Sequence, residues 1–406
     1  MRFASARMPN LPVDAISLAV RAGSAVEGEH TRGAAHLVEH LTLARGSEDS
    51  RTGLASDFDT VGAQPMAVTG KDSTEYTVRV RSSDLAFALR AFRGALSRPD
   101  MTRARLDAEK RTVLAELSGI RHHIERAALQ TAESRLFQGT PLALAPGGTH
   151  LDIARLNGGQ VAAYWSANYR PANMDLCIVG PRRHRELLPL VCEAFGTRPS
   201  TNLDRPAPAP RSDAKPKRSV AVRGGEHATL SPVVWAFHAP AAGHSTRVRA
   251  VVLAALLASG FASLLVSELR VDNQLVYSPR AFYTGFGTSG MLTISASTSA
   301  DRADEVLSRI RVVLEKVASS GFSHEQLEYA IRHVACSTEI AHADQVGRLR
   351  SLASSIHYLG HVPRLDDLLR LIRSVRTTDV ASLAASMLEN ETEILTHAAF
   401  PAEDPS

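Results

Sequence analysis

The amino-acid sequence predicts an α+β protein made of two similar domains, each with helices packed on a mainly antiparallel sheet. The chain has 406 residues, more than one hydrophobic core usually organises, so two units of about 200 residues each are expected. Strand patterns and long helix patterns are mixed in both halves of the chain, as in α+β domains. We therefore expect one domain at residues 1–198, a linker at 199–218 and a second domain at 219–406.

The first half opens with a short apolar strand pattern, followed by a helix pattern with apolar residues at three- and four-residue spacing. In this helix pattern Ala34, Leu37 and Leu41 would share one face. Residues 75–80 alternate between polar and apolar side chains, as a half-buried strand does. The elements predicted for this half are strands at 15–20, 75–80 and 174–179 and helices at 33–43, 85–96 and 102–136.

A proline-rich stretch ends the first half, and the second half repeats the mixture of strands and helices. Pro206, Pro208, Pro210 and Pro216 stand among alanine and polar residues, a composition that favours an extended linker. The elements predicted after this linker are strands at 233–237 and 291–298 and helices at 246–258, 262–270, 303–319 and 324–341, followed by a helical tail.

Charge and composition argue against nucleic acids and membranes as partners. The formal net charge is only +4, and the strongest basic run, residues 215–218, has no aromatic neighbour on which a base could stack. We interpret that run as part of a solvated linker. No stretch of the sequence reaches the roughly 20 apolar residues that a membrane-spanning helix needs.

Cysteine usage and the first residues of the chain predict a cytoplasmic protein. Cys177, Cys192 and Cys336 form no CxxC pair and are odd in number, which argues against a disulfide framework and favours a reducing compartment. Residues 1–12 lack the charged, apolar and small-residue regions of a secretory signal.

The first helix pattern carries residues typical of a metal site. His36, Glu39 and His40 form an HxxEH sequence, and residues four apart in a helix lie one turn apart on one face, so both imidazoles can reach a single ion. Imidazole and carboxylate are usual zinc ligands, and HxxEH is the inverted form of the zincin motif. The same residues could instead form a polar surface or a hydrogen-bonded network in the core.

A third ligand has to come from another element of the chain. Glu109 and Glu116 are seven residues, or two turns, apart in the long helix pattern and would lie on the same face. In another interpretation, Glu109 is an exposed helix residue paired with Arg105 or Arg111.

These residues resemble the zinc site of the pitrilysin and mitochondrial processing peptidase family. In that family an HxxEH helix is completed by the second glutamate of an ExxxxxxE pair, and here Glu116 follows His40 by the family's distance of about 76 residues. Residues 19–24 also resemble the family's strand and turn before the zinc helix. The resemblance implies that His36, His40 and Glu116 hold zinc.

The resemblance also implies a fold and a reaction. Glu39 would act as the general base on the attacking water, and Glu109 would orient a ligand or steady the charge of the site from the outer shell. The two domains would form half of a clamshell chamber. The protein would be a zinc-dependent metalloendopeptidase that hydrolyses unstructured peptides.

Two residues of the second half match family positions that reach into the active site of an opposing half. Arg270 ends a helix pattern, and Tyr277 follows it by seven residues. The resemblance implies that the Arg270 guanidinium holds a peptide carbonyl and that the Tyr277 phenol donates to the forming oxyanion. Without the resemblance they would be an arginine at a helix C-terminus and a tyrosine in a sheet.

One position departs from the family pattern. The family has Asn-Ala-x-Thr after a glycine-rich turn, whereas this chain has the sequence Met-Ala-Val-Thr at 66–69, so Met66 replaces an asparagine that contacts substrate backbone. We interpret Met66 as a packing residue. Residues 61–80 are the expected sheet edge, to which a substrate peptide would add as a strand.

The site residues and the family together suggest partners and substrates. Because one chain carries both the zinc set and the pair Arg270 and Tyr277, a homodimer with two composite sites is the first expectation and a heterodimer with a related subunit the second. The alanine- and arginine-rich composition suggests a bacterium, where the substrate would be the leader peptide of a ribosomally made precursor. The competing hypothesis is a non-catalytic or partner-dependent subunit of a heterodimeric processing peptidase.

Overall fold

The chain forms two compact units, each built around a sheet of five strands. A computed structural model describes residues 1–43, 53–97, 99–196, 219–224, 230–389 and 392–397. The first unit contains Met1–Leu117 and residues 144–196 and 340–363; the second contains residues 118–143, 219–339 and 364–397. The expected linker at 199–218 lies outside the described residues.

The residues that make up each unit differ from the prediction, which placed the boundary between two domains at a single linker. Residues 118–143 belong to the second unit although they precede the linker, and residues 340–363 belong to the first unit although they follow it. Each unit is therefore assembled from separate stretches of the chain, and two of the changes of unit, after Leu117 and after Glu339, fall inside long helices.

The two sheets have closely similar patterns. In spatial order the first is β1-β5-β2-β4-β3 and the second is β10-β6-β7-β9-β8, and each has a single parallel pair of strands, β1 with β5 and β6 with β10. All other neighbouring strands of these sheets are antiparallel, so the predicted α+β class with mainly antiparallel sheets is confirmed. The strands are β1 Arg2–Arg7, β2 Val13–Val20, β3 Met66–Thr69, β4 Thr74–Arg81, β5 Met174–Gly180, β6 Ser219–Gly224, β7 Ser231–Ala239, β8 Arg280–Gly285, β9 Gly290–Thr298 and β10 Glu393–His397.

The predicted helices agree with the structure except at two places, and the helices Leu54–Asp59, His150–Arg155, Gly158–Asn168 and His184–Phe195 were not predicted. The predicted helix at 102–136 is two helices, because His123 has a non-helical backbone (φ −93°, ψ 87°) between them. In place of the predicted helix at 262–270 the structure has a π-helical segment, Val266–Asp272, which begins later and ends two residues beyond the predicted end. The α-helices are α1 Ala34–Leu43, α2 Leu54–Asp59, α3 Leu85–Ser97, α4 Arg103–His122, α5 Ile124–Leu136, α6 His150–Arg155, α7 Gly158–Asn168, α8 His184–Phe195, α9 Arg247–Ala258, α10 Ala303–Ala318, α11 His324–Ala343, α12 Gln345–Leu359, α13 Leu365–Arg373 and α14 Thr377–Leu388.

The first sheet has helices on both faces. Ala15, Cys177 and Val179 pack with α12 residues such as Leu352 in one apolar cluster. The opposite face of the sheet, which includes the fully buried Tyr76, packs against α1 and α3. The helix α1, which carries the HxxEH sequence, is thus held beside β3 and β4, at the edge of the sheet.

The second unit has one continuous apolar core. Trp235 and Phe237 of β7, Ile294 of β9 and Leu253 of α9 belong to a single cluster of buried residues that also includes Ile310 of α10. Among the helices in the described part of the chain, none combines the length and apolar composition that a membrane-spanning helix requires.

Candidate metal centre and the residues around it

A buried carboxylate fixes the start of α1. Glu27, which is 8% exposed, accepts hydrogen bonds from the backbone N–H groups of Gly33 at 2.9 Å and Ala35 at 2.8 Å. These are donors at a helix N-terminus, where the helix itself supplies no acceptor. Gly33 has a φ of +83°, and a Cβ there would lie 2.5 Å from Ile153, so the turn into α1 requires glycine.

Three predicted ligand residues meet at one point. His36 and His40 of α1 face Glu116 of α4, and one ligand atom from each lies within 4.8 Å of the other two. The two Nε2 atoms are 3.3 Å apart, and the Glu116 Oε2 atom is 3.6 Å from His36 Nε2 and 3.5 Å from His40 Nε2. The three donor atoms therefore form a nearly equilateral triangle.

This triangle has the size that a tetrahedral zinc ion requires. Ligand atoms at about 2.0–2.2 Å from zinc with tetrahedral angles lie roughly 3.3–3.6 Å from one another. The three measured edges fall in that range, and two imidazoles with one carboxylate are a usual donor set for a catalytic zinc with an open fourth position. The residues present therefore fit a zinc ion.

The histidine tautomers agree with metal binding. His40 Nδ1 lies 3.2 Å from Glu109 Oε2, and because a carboxylate accepts, Nδ1 carries the proton and Nε2 presents a lone pair to the triangle. The other oxygen of Glu109 pairs with Arg105 at 3.0 Å. Glu109 thus contacts both a predicted metal ligand and the arginine of the competing interpretation, and it is buried.

His36 is kept neutral by its surroundings. Burial lowers the pKa of His36 to about 4, and the neighbouring His40 adds to the effect. A metal ligand has to be the neutral imidazole. The buried Nδ1 atom of His36 has no hydrogen-bond partner among the residues that the structure describes.

Glu39 is the buried acid of the same helix face. It is 6% exposed, and the hydroxyl of Thr69, the last residue of β3, donates a hydrogen bond to its Oε2 atom. Burial raises the pKa of Glu39, while the hydrogen bond from Thr69 and the nearby His40 act in the opposite direction. Glu39 is therefore placed next to the donor triangle without belonging to it.

Arg270 and Tyr277 belong to the second unit and are next to each other there. The guanidinium carbon of Arg270 lies 5.0 Å from the Tyr277 ring centroid and 5.4 Å from that of Phe261, distances typical of cation–π contacts. Tyr277 is 82% exposed, and Phe261 is exposed as well. Arg270 lies within the π-helical segment, and such segments occur often at functional sites.

Comparison with known proteins identifies the family. The sequence model described as "Insulinase (Peptidase family M16)" matches residues 2–149, and the one described as "Peptidase M16 inactive domain" matches residues 155–334. Together these matches cover most of the chain. The chain belongs to peptidase family M16.

Individual relatives of this M16 chain agree with the family assignment. An uncharacterised zinc protease of Streptomyces coelicolor is 24% identical over 393 residues, covering 96% of this chain and 85% of the relative. Subunit 1 of the mitochondrial cytochrome b-c1 complex of Bos taurus is 26% identical over 184 residues, which is 45% of this chain and 38% of that protein. The crystal structure of a protease from Helicobacter pylori superposes with a TM-score of 0.82 at 18% identity, covering 94% of this chain and 93% of the other, and shows the same fold.

One interpretation of a site residue in this M16 chain is wrong. Met66 was expected to pack, but it is 62% exposed. Its side chain lies on the same face of β3 as the exposed Val68, because alternate residues of a strand face the same side. Met66 is therefore available to a binding partner and not part of the core.

Three residues near the predicted site residues were not predicted to have a role. Glu27 acts through backbone N–H groups, Thr69 through one hydroxyl, and Phe261 through its ring. A sequence signal existed for Thr69 alone, since it is the threonine of the family's Asn-Ala-x-Thr pattern.

Proposed function

We propose that this chain is a zinc-dependent metalloendopeptidase in which His36, His40 and Glu116 hold the metal. The observation that carries the proposal is the donor triangle, with edges of 3.3, 3.5 and 3.6 Å. Two imidazole nitrogens and a carboxylate oxygen at these separations are the donor set and spacing of a tetrahedral zinc site. The names of relatives as zinc proteases support the same conclusion.

In this proposal each residue around the triangle has a separate role in peptide hydrolysis. Bound zinc would lower the pKa of a water molecule and polarise the scissile carbonyl. Glu39 would take a proton from the attacking water and pass it to the leaving amine, as a general base and then a general acid. Glu109 holds His40 in the tautomer that presents Nε2.

Arg270 and Tyr277 are proposed to bind the substrate at the reacting carbonyl. A guanidinium can donate two parallel hydrogen bonds to peptide carbonyls, and an exposed phenol can donate one to the forming oxyanion. The stacking of Arg270 on Tyr277 supports a joint role, because it limits the orientations of both side chains.

The proposed substrates are unstructured peptides, including leader peptides of ribosomally made precursors. The strand β3 is the outer strand of its sheet, and its backbone pairs only with β4 among the described residues. An extended peptide can add to such an edge through main-chain hydrogen bonds that do not depend on its sequence.

A cleavage assay on unstructured peptides tests this proposal. The wild-type chain should cleave them, a chelator should abolish cleavage, and added zinc should restore it. The Glu39→Gln chain should keep zinc and lose about 10²–10⁴-fold in turnover, the usual contribution of a general base. As a matched control, Glu315→Gln alters an exposed glutamate of α10 and should cleave like the wild type; equal turnover of all three chains would refute the mechanism.

A second candidate function is a non-catalytic or partner-dependent subunit of a heterodimeric processing peptidase. The match of about half the chain to a subunit of a respiratory complex supports it, as does the description of the second family model as an inactive domain. A pure chain that binds zinc but cleaves only after a related subunit is added would favour this candidate.

We propose a homodimer with two composite sites as the assembly, since one chain carries the triangle as well as Arg270 and Tyr277. Mixing a Glu39→Gln chain with a Tyr277→Phe chain tests it, because a hybrid dimer would contain one site with both intact groups. Recovery of cleavage is expected in hybrid dimers. Inactive hybrids, shown by native mass spectrometry to have formed, would contradict shared sites.

A further inference from the structure

Thr69 connects the edge strand of the first sheet to the helix that carries the HxxEH sequence. It is the last residue of β3, where it pairs with the fully buried Thr74 of β4. Its hydroxyl donates a hydrogen bond to Glu39 Oε2, and its backbone N–H also contributes to the stabilisation of the Glu39 carboxylate. Met66 and Val68 of the same strand are exposed.

The position of Thr69 is fixed by the turn that follows it. The Gly70 carbonyl accepts the N–H of Ser24 at 3.1 Å, and the Lys71 carbonyl accepts the N–H of Ala25 at 2.9 Å. The ammonium group of Lys71 donates to the Leu144 carbonyl at 2.8 Å. The turn after β3 is thus bound to two other segments of the first unit, and the hydrogen bond from Thr69 to Glu39 is a further anchor for the end of β3.

Glu39 has a buried carboxylate on a flexible side chain. Among the residues that the structure describes, Thr69 alone donates hydrogen bonds to this carboxylate. Since a buried carboxylate needs donors, and since three side-chain torsions would otherwise be free, the hydrogen bond from the Thr69 hydroxyl selects one orientation of Glu39.

We propose that Thr69 is a positioning residue, which holds Glu39 toward the donor triangle and links it to the strand where a peptide binds. The proposal rests on the proposed function, in which Glu39 is the general base and β3 is the binding edge. A peptide added to β3 orders the backbone of that strand, including Thr69, and therefore also orders the base. Peptide binding itself uses the β3 main chain and does not need the Thr69 hydroxyl.

The substitution Thr69→Val tests this role, because valine keeps the shape of threonine and removes the hydroxyl. We expect kcat to fall about 10–100-fold, as for other residues that support a metal site from outside, with KM and zinc content unchanged. Thr69→Ser should restore most of the lost kcat. Thr77→Val is the matched control, since Thr77 lies on β4 with its side chain on the other face of the sheet, and its kcat should equal that of the wild type.

A hydrogen-exchange measurement tests the same contact without any activity. In Glu39→Ala the peptide spanning β3 and its turn should exchange its amide hydrogens faster than in the wild type, whereas Glu39→Gln, which still offers an acceptor oxygen, should exchange at nearly the wild-type rate. Equal exchange in all three chains would overturn the proposal, and this measurement also decides it if Thr69→Val fails to fold.

The outcomes separate this inference from the proposed function. If the wild type cleaves peptides and Thr69→Val has unchanged kcat, then Thr69 is not a positioning residue although the enzyme assignment stands. If the wild type cleaves nothing, the proposed function fails, and faster exchange in Glu39→Ala alone would still establish the contact between the strand and Glu39.

Discussion

The helices α1 and α9 occupy the same place in two similar units but carry opposite kinds of residues. Each follows the second strand of its sheet, β2 in the first unit and β7 in the second. The helix α1 presents His36, Glu39 and His40, whereas α9 is filled with buried apolar side chains such as Leu253 and Leu257. The fold alone therefore does not specify a metal site, and any activity has to be argued from side chains.

The candidate site residues of the two units also differ in how they are held. In the first unit Glu109 contacts His40 of the donor triangle, and Thr69 contacts Glu39 beside the triangle. In the second unit Arg270 and Tyr277 are supported by each other and by Phe261 at an exposed position. Under our proposal the first arrangement serves a metal and the second serves a substrate.

The largest expected effect concerns the contribution of the second unit. If its chemistry lies in Tyr277, then Tyr277→Phe should lower kcat about 10²–10³-fold, the usual cost of one lost oxyanion donor, without loss of zinc. Steady-state kinetics and metal analysis check this. Tyr329→Phe in α11 is a control for the same change elsewhere in the second unit. Equal kcat in Tyr277→Phe and Tyr329→Phe would mean that Tyr277 makes no contribution to catalysis.

A smaller effect, on zinc affinity, is expected when Glu109, which contacts His40 of α1, is changed. Glu109→Gln weakens the hydrogen bond that fixes the His40 tautomer, so zinc affinity should fall about 10–100-fold. Competition with a zinc chelator of known affinity measures this change. Unchanged affinity would favour the interpretation of Glu109 as a structural partner of Arg105.

The last expected effect is on stability alone and concerns how the two helices start. Burial raises the pKa of Glu27 from 4.5 to about 8, whereas α9 begins without a side-chain cap. The folded state therefore keeps a proton that the unfolded state releases. Its free energy of unfolding should fall by about 1.4 kcal/mol per pH unit as the pH rises from about 4.5 to about 8, and this contribution is constant outside that window.

Glu27→Gln should remove this pH dependence, because the amide resembles the protonated acid. Urea unfolding of chelator-treated protein at several pH values within the window is the measurement, since bound zinc would add its own pH dependence. Glu315→Gln serves as the control and should retain the wild-type slope. The same slope in Glu27→Gln would show that Glu27 remains ionised at the helix start.

The sequence predicted the central elements of the fold better than its edges. The strands β2, β4, β5, β7 and β9 have long apolar or alternating patterns and were predicted. The four edge strands, β1, β3, β8 and β10, and one inner strand, β6, were not predicted as separate strands. An edge strand has only one paired neighbour, so its side chains are less uniformly buried and its pattern is weaker.

Some residues of the candidate site could also be predicted from the sequence, and others could not. The sequence predicted four of them, because histidine and glutamate are usual residues of zinc sites and their spacing matches a known motif: His36, His40, Glu109 and Glu116. The role of Glu27 could not be predicted, since a carboxylate that binds backbone N–H groups across a turn has no sequence pattern of its own. The exposure of Met66 was mispredicted because an apolar residue in a strand is more often packed than exposed.

The central claim is that His36, His40 and Glu116 hold a zinc ion, and metal analysis of the purified chain tests it most directly. We predict about one zinc per chain in the wild type and in Glu39→Gln, and almost none in His40→Ala, because a site with three protein ligands cannot lose one without losing most of its affinity. Less than about half an equivalent in the wild type, or an unchanged zinc content in His40→Ala, would contradict the claim.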